Sequence, residues 1–465
     1  MSLKRVLTLR TVVSTSAGLT FSTACFVAAA QVASYLAGDA AWLAILVAGA
    51  LTLLTAAVFS ELNGQFPSAA GLRLYLSKAF GETASLVVSL MYMLVITLVV
   101  GTETYVLGHV LNFAIPAVSP IVWVVLMLVL ATAMNLRGVN IAGAFQDIFT
   151  YGMVASLVVF AVVAFSKTGV HLRAPLATGG VGGLFNAVAV GVFLFVGFEW
   201  VTPLAEEVTH GNLIPKGMFL AVGLLSVVYA LFTVAMTATV PDALRQTLLS
   251  SPVPHLVFGQ AVLGKAGVWW MTLTSLAASV TTFNAGLITI SRFMYASARE
   301  AVLPKWFSQV NARFATPQNA IVTLFFFGLV VSAIVFYSGR YLTLVLMGSA
   351  MESIIYAVGA MAVLALRRHL PDQPRPFKVP GGAVIPALAI VVFAVLALGV
   401  MLQNLWVPVF LALVVAGSYL YVLYVVPGLK AKQAAEREAM RQARSRRPRP
   451  APTGEAAAAG DAPAD

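Results

Sequence analysis

The chain has 465 residues, 60% of them hydrophobic and 10% charged, with a mean hydropathy of +0.93. No water-soluble fold of this length covers that much apolar side chain, so composition excludes a soluble enzyme or binding module and predicts an integral membrane protein. The formal charge of +11 follows from membrane orientation rather than from nucleic-acid binding, because the basic residues divide unevenly between the two sides.

A window of about 20 residues, the helix length that crosses the hydrocarbon core, finds about twelve apolar segments. They lie near 11–36, 41–61, 84–112, 119–137, 142–166, 184–207, 216–240, 266–297, 318–338, 342–366, 384–402 and 405–426. Residues 11–36, behind Lys4, Arg5 and Arg10, resemble a secretory leader, but the run is too long and a second span follows within a few residues. This first span carries Gly18-Leu-Thr-Phe-Ser22-Thr23-Ala24-Cys25-Phe26, small and hydroxylated residues that serve either close helix packing or a break. Cys25 is the one cysteine, which excludes an internal disulfide. The third span holds Glu103. In the sixth, FLFVGFEWVTPLAEEVTHGNLIP (193–215) interrupts an apolar helix at Val196-Gly197 and places Glu199 just after it. Irregular backbone at membrane depth is tolerated only where the freed N–H and C=O groups line a cavity or meet a solute, so this segment reads as half of a transport site. The connection 238–265 reads as a short surface loop or a re-entrant piece. The eighth span clusters Ser279, Thr281 and Thr282, and the tenth holds Glu352.

With the N-terminus inside, 23 of the 28 Lys and Arg fall on the cytoplasmic side. Only Lys167, Arg173, Arg245, Lys265 and Arg340 fall outside, which places both termini in the cytoplasm and agrees with an even number of spans. The expected organisation is a cytoplasmic N-terminus (1–10), a transmembrane domain (11–426) with no soluble domain between spans, and a cytoplasmic tail (427–465). Rich in Ala, Arg, Glu and Pro, the tail predicts a basic helix along the inner membrane surface that gives way to a disordered end.

Five stretches carry a family resemblance: SELNGQFPSAAGLRLYLSKAFG (60–81), NLRGV (135–139), GFE followed by EE (197–207), SRFMYASAREAVLP (291–304) and LRRHLPDQPRPFKVP (366–380). By these the chain resembles the amino acid/polyamine/organocation superfamily over most of 1–426. The resemblance implies an all-α fold in the plasma membrane, the inner membrane of a bacterium. It also implies a five-plus-five inverted repeat (about 11–166 and 184–366), two extra helices (about 384–426), and first and sixth helices both unwound at the substrate. The chain departs from the family twice. Ser22-Thr23-Ala24 stands where members usually carry Gly-x-Gly, and Met153, or Gly152 beside it, stands where many proton-coupled relatives carry a lysine.

An amino-acid zwitterion needs donors for its carboxylate and acceptors for its ammonium. N–H groups around Ser22, Thr23, Ala24 and Cys25, at the positive end of the second half-helix, are expected to face the carboxylate. Carbonyls of Phe193, Phe195 and Val196, freed at Gly197, are expected to face the ammonium. The resemblance implies that the Phe193 ring gates the substrate, and that Tyr92 and Glu103 line the pocket as in arginine/agmatine exchangers. On its own a Phe in an apolar helix is a packing residue. Glu103, Glu199 and Glu352 have no Lys or Arg at similar depth, so each is protonated, faces water, or awaits a cation, with Glu199 and Glu352 the gating or proton-handling acids. The acids incline the substrate toward cationic amino acids, with neutral amino acids or polyamines as the alternative. Carbonyls of Gly18 and Phe21 with hydroxyls of Ser279, Thr281 and Thr282 form a candidate sodium site, against which stands the habit of such hydroxyls of bonding their own preceding turn.

The histidines, His109, His171, His210, His255 and His369, lie scattered near span ends without metal spacing, and no phosphate loop or nucleophile elbow is present, so no cofactor is expected. The expected function is secondary active transport of amino acids by proton symport or substrate exchange. An intramembrane enzyme and a channel are the alternatives of another class. Partners are the small-molecule substrate, H+ or Na+ as coupling ion, and the bilayer.

Overall fold

The computed structural model describes residues 5–34, 40–169 and 180–445. Lys4, the end of the first predicted span, His171, the outer cation Arg173 and the predicted disordered end at 446–465 lie outside the described residues. Helices dominate because a segment that is apolar on every face must satisfy its backbone internally when it meets lipid or another such segment. In chain order they are α1 (Leu9–Thr20), α2 (Ala24–Ser34), α3 (Ala41–Gln65), α4 (Leu72–Phe80), α5 (Glu82–Ala114), α6 (Pro120–Leu136), α7 (Val139–Thr168) and α8 (Gly180–Phe193). After a 3-10 segment, Phe198–Glu206, come α9 (Leu213–Thr239), α10 (Asp242–Ser250), α11 (Pro254–Leu263), α12 (Lys265–Arg299), α13 (Gln318–Ser338), α14 (Tyr341–His369), α15 (Val384–Gln403), α16 (Trp406–Tyr424) and α17 (Val426–Ser445).

Among the described residues nine helices are long and apolar enough to cross a membrane, ten if the bent pair Leu9–Thr20 and Ala24–Ser34 counts as one span. The apolar helix Pro120–Leu136 is shorter. Central α12 is 83% buried, whereas the stretch Trp406–Ala439 is 11% buried and presents Leu413, Leu420 and Tyr424 outward, as a lipid-facing helix does. Around α12 the first helix packs on α7 and α9, and α3 packs on α8 and α9.

Both expected breaks exist, with one displaced. The helix axis turns by 60° between α1 and α2. In the sixth segment the α-helix stops at Phe193, earlier than the expected Val196-Gly197, and the N–H groups of Leu194, Phe195 and Val196 reach carbonyls three residues back. Gly197 has φ +105°, which ends any right-handed helix, and Pro203 withholds a donor from the turn that follows. The continuation is therefore 3-10 rather than α.

The connection 238–265 is a correction to the surface-loop reading. It folds as α10 and α11, and α11 packs against α12 so closely that a Cβ on Gly259 would lie 2.5 Å from the Gly267 carbonyl oxygen. Only glycine at both positions permits that approach. His255 of α11 is consequently buried, stacked on Phe26 at 4.4 Å and 2.8 Å from Ser275 Oγ through Nε2.

The predicted basic tail helix forms as α17 and grips the protein. Lys430 pairs with Glu82 at 2.5 Å, Glu436 pairs with Lys305 at 2.5 Å, and Gln433 donates to the Ala298 carbonyl at 3.4 Å. The Lys305 ammonium beside Glu436 holds that carboxyl below its ordinary value of 4.5. A depressed acid contributes stability above its ordinary value and loses it as pH falls through the lowered one. Protection of α17 from protease is therefore expected to hold above the ordinary carboxyl value and to weaken as pH falls below it, and to weaken with added salt. Protection unchanged by either variable would show that apolar contacts hold the helix.

Candidate solute-binding site

The two breaks face each other. Ser16 Oγ, in α1, donates to the Phe198 carbonyl at 2.6 Å, and a Cβ at Gly197 would stand 3.5 Å from Leu19 Cγ. Tyr229 of α9 joins them: its ring stacks on Phe21 at 4.9 Å and meets Phe195 edge-on at 5.6 Å, while its hydroxyl donates to the Thr20 carbonyl at 3.4 Å. Gly197→Ala forces an L residue into the left-handed region at this junction. The expected result is a loss of about 1–2 kcal/mol of stability together with impaired transport, read by thermal melting and uptake. Wild-type behaviour in both would mean that the break does not depend on this backbone conformation.

At the first break, the Thr23 N–H donates to Glu103 Oε1 at 3.0 Å and the Ala24 N–H to Glu103 Oε2 at 3.1 Å. Ser279 Oγ donates to Oε1 at 2.5 Å. The Glu103 carboxyl group is therefore buried, hydrogen-bonded three times, and placed at the positive end of α2. The Cys25 N–H, counted among the donors for a solute, bonds the Ser22 carbonyl at 3.0 Å, and Ser22 Oγ lies 3.7 Å from Cys25 Sγ. At the second break the Phe193 carbonyl accepts the Val196 N–H at 3.2 Å and is not free. The carbonyls of Phe195 and Val196 accept no backbone hydrogen bond among the described residues.

Tyr92 does not share a layer with Glu103. Eleven residues apart on α5, they are separated by about 16 Å of helix rise. Tyr92 instead packs on Trp200 at 4.6 Å and Phe293 at 5.7 Å, beside the carboxyls of Glu199 and Glu352. Tyr356 donates to Glu199 Oε2 at 2.8 Å. Glu352 lies within reach of Glu199, Trp200 and Tyr356. Yet both of its oxygens, Glu199 Oε1, the Tyr92 hydroxyl and Trp200 Nε1 complete no hydrogen bond among the described residues. Two buried acids side by side without a cation repel one another if both are ionised, and a proton between them supplies the missing donor.

For the candidate cation site, the structure brings Thr282 Oγ1 to 3.3 Å from the Gly18 carbonyl and 3.2 Å from that of Phe21, with the hydroxyl donating to both. Ser279 is turned to Glu103, and Thr281 bonds the Ala278 carbonyl of its own preceding turn.

The charged residues of the sequence motifs pair with one another on the side assigned to the cytoplasm. Arg292 Nε donates to Glu207 Oε1 at 2.8 Å with both side chains buried. Arg367 makes a two-pronged contact with Glu61, at 2.9 and 2.6 Å. Arg73 pairs with Glu300, and Arg299 lies 3.7 Å from Glu206. Burial pushes the Arg73 guanidinium below its ordinary value. Asp147, which sequence reasoning passed over, takes Arg10 at 2.6 Å and hydrogen bonds from Thr11 and Ser14. Also missed was a chain of buried amides, Asn135 to Asn284 to Gln146, which ends on the Ser14 carbonyl of the first helix.

Comparison with known proteins agrees with this architecture. The profile of the family described as amino acid permease matches residues 7–429. The chain is 30% identical over 279 residues to the branched-chain amino acid permease BcaP of Bacillus subtilis, which covers 58% of this chain and 56% of that protein. It is 29% identical to Asc-type amino acid transporter 1 of Mus musculus over 75% of this chain and 67% of the relative. Large neutral amino acids transporter small subunit 2 of Homo sapiens is 26% identical over 72% of this chain and 64% of the relative. The matches thus span from a little over half to two thirds of these relatives. Their names give no support to the cationic inclination. All-helical, built of apolar membrane-length helices, and matched by one profile nearly end to end, the chain belongs to the amino acid permease family of the amino acid/polyamine/organocation superfamily.

Proposed function

We propose that the protein is a secondary transporter that moves neutral amino acids across the plasma membrane by alternating access, coupled to protons. In this reading the chain crosses the bilayer twelve times, with both termini cytoplasmic and a five-plus-five inverted repeat joining 11–166 to 184–366. The observation that carries it is the apposition of two interrupted helices, held by Ser16 and Tyr229, next to which the carbonyls of Phe195 and Val196 accept no backbone hydrogen bond among the described residues. Ser22, Thr23, Ala24 and Gly197 form the solute-facing backbone, Phe193 and Phe195 cover it, and Glu199 with Glu352 holds the coupling proton. Neutral amino acids are favoured over cationic ones because relatives carry branched-chain and large neutral amino acids in their names. Protons fit better than sodium because three of the four oxygens of the acid pair have no hydrogen-bond partner among the described residues, whereas a hydroxyl already occupies the Gly18 and Phe21 carbonyls.

The test is uptake of labelled leucine and alanine into proteoliposomes, with pH and sodium gradients imposed separately and lysine and putrescine as competitors. Accumulation driven by an inward proton gradient, competed by neutral amino acids, is expected. Sodium dependence alone would transfer the coupling to Thr282, and absence of uptake and counterflow for every amino acid would end the reading.

A further inference from the structure

We infer that Glu103 is a tethered carboxylate that competes with the solute's own carboxylate for the first-helix break. This rests on the transport reading above and deepens it by assigning what decides the solute class. The first turn of α2 has few donors to give. The Cys25 N–H is used by the Ser22 carbonyl at 3.0 Å and the Phe26 N–H by the Thr23 carbonyl at 3.2 Å. That leaves the amides of Thr23 and Ala24, and Glu103 takes both, one per carboxylate oxygen, at 3.0 and 3.1 Å. A bidentate grip on two successive backbone amides is the geometry in which an α-carboxylate is held at a helix start. Ser279 adds a third donor at 2.5 Å and is itself positioned by Thr23 Oγ1 at 3.1 Å, so the acid is held from two helices. Glu103 is fully buried, and no Lys or Arg among the described residues contacts it.

Two carboxylates cannot share two amides. An amino acid that places its carboxylate at this break must first expel Glu103, which leaves three hydrogen bonds and must find a proton or another donor inside the bilayer. An amine of the same side chain but without the carboxylate meets no such competition. With Glu103 in place, its ammonium finds a carboxylate already fixed where an amino acid would have brought its own. The seat therefore discriminates between the two solute classes with opposite dependence on one side chain.

The experiment measures binding of leucine and of 3-methylbutylamine, its decarboxylated counterpart, to the purified full-length protein and to Glu103→Ala, with thermal melting as a check on folding. Leucine is expected to bind about tenfold more tightly in the variant and the amine about tenfold more weakly, since one net hydrogen bond to a charged group is worth roughly that factor. Ser279→Ala keeps both amides and the acid while removing one of the acid's donors. It is expected to strengthen leucine binding by roughly threefold and serves if Glu103→Ala does not fold. A fall for both ligands, a rise for both, or no change in either would overturn the inference and leave Glu103 as a packing or proton-handling group. If the wild-type protein binds neither leucine nor any other amino acid, the transport reading falls and the inference with it. If it transports leucine while both ligands shift together, only the inference falls.

Discussion

Glu199→Gln is expected to abolish proton-driven accumulation while leaving gradient-free exchange measurable. Gln keeps an acceptor for the Tyr356 hydroxyl, 2.8 Å away in the wild type, and fills the same volume, so packing against Phe198 and Tyr356 survives. On the proposed reading it removes a proton-binding oxygen beside Glu352, whose own oxygens find no hydrogen-bond partner among the described residues. A coupling free energy of about 1–3 kcal/mol corresponds to a loss of roughly 5- to 150-fold in accumulation. The pH profile should flatten at the same time, because the titrating pair has become a single acid. Proteoliposome uptake against imposed pH, alongside counterflow of labelled substrate, separates the two effects. A variant with the wild-type pH profile would remove Glu199 from proton handling. One that loses counterflow as well would make it a structural member of the sixth segment.

Glu207→Ala is expected to be the more damaging change to the folded protein. It strands the Arg292 guanidinium, fully buried, with Ser291 as its remaining side-chain partner at 2.9 Å and Nη2 already unsatisfied. Breaking a buried pair from one side costs about 3–5 kcal/mol, whereas replacing both members by apolar groups is often neutral. Melting in detergent should show a large loss for Glu207→Ala and substantial recovery in Glu207→Leu with Arg292→Met. If the double variant is no better than the single one, the pair acts through geometry at this end of α12 and not through its buried charge. The backbone gives a reason to expect some residual effect: the Glu207 carbonyl also accepts the N–H groups of Val6 and Leu7, tying the N-terminal segment to the same point.

The helical membrane architecture was legible because hydrophobicity over about 20 residues is a local property. The sixth-segment break was legible for a similar reason, since Gly197 and Pro203 act on their own backbone. Its starting point was not, because Leu194–Val196 are good apolar helix residues and only their surroundings turn them out of the helix. Glu103 shows the deeper limit. Its charge and depth were evident, but the two amides that satisfy it belong to Thr23 and Ala24, some 80 positions away, and backbone donors leave no mark on side-chain patterning. Tyr229 and His255 escaped for a related reason: an aromatic and an imidazole in apolar segments look like packing until a second helix supplies the carbonyl or hydroxyl they meet. The ion pairs within the motifs, Glu61 with Arg367 and Glu207 with Arg292, were visible as residues and invisible as partners.

The 3-10 winding of Phe198–Glu206 also has a length. At about 2.0 Å per residue instead of 1.5 Å, nine residues extend roughly 4–5 Å farther than the same residues would as an α-helix. One end of this stretch carries Glu199 in the acid layer, and the other carries Glu206 and leads to Glu207, where the arginines of α12 are gripped. Rewinding toward α geometry would shorten the segment by nearly a helical turn and turn its two ends relative to one another by about half a revolution. Spin labels placed on either side of the segment would report such a contraction directly. On the proposed reading, protonation in the acid layer reaches the arginines of α12 as a change in the length of one strut.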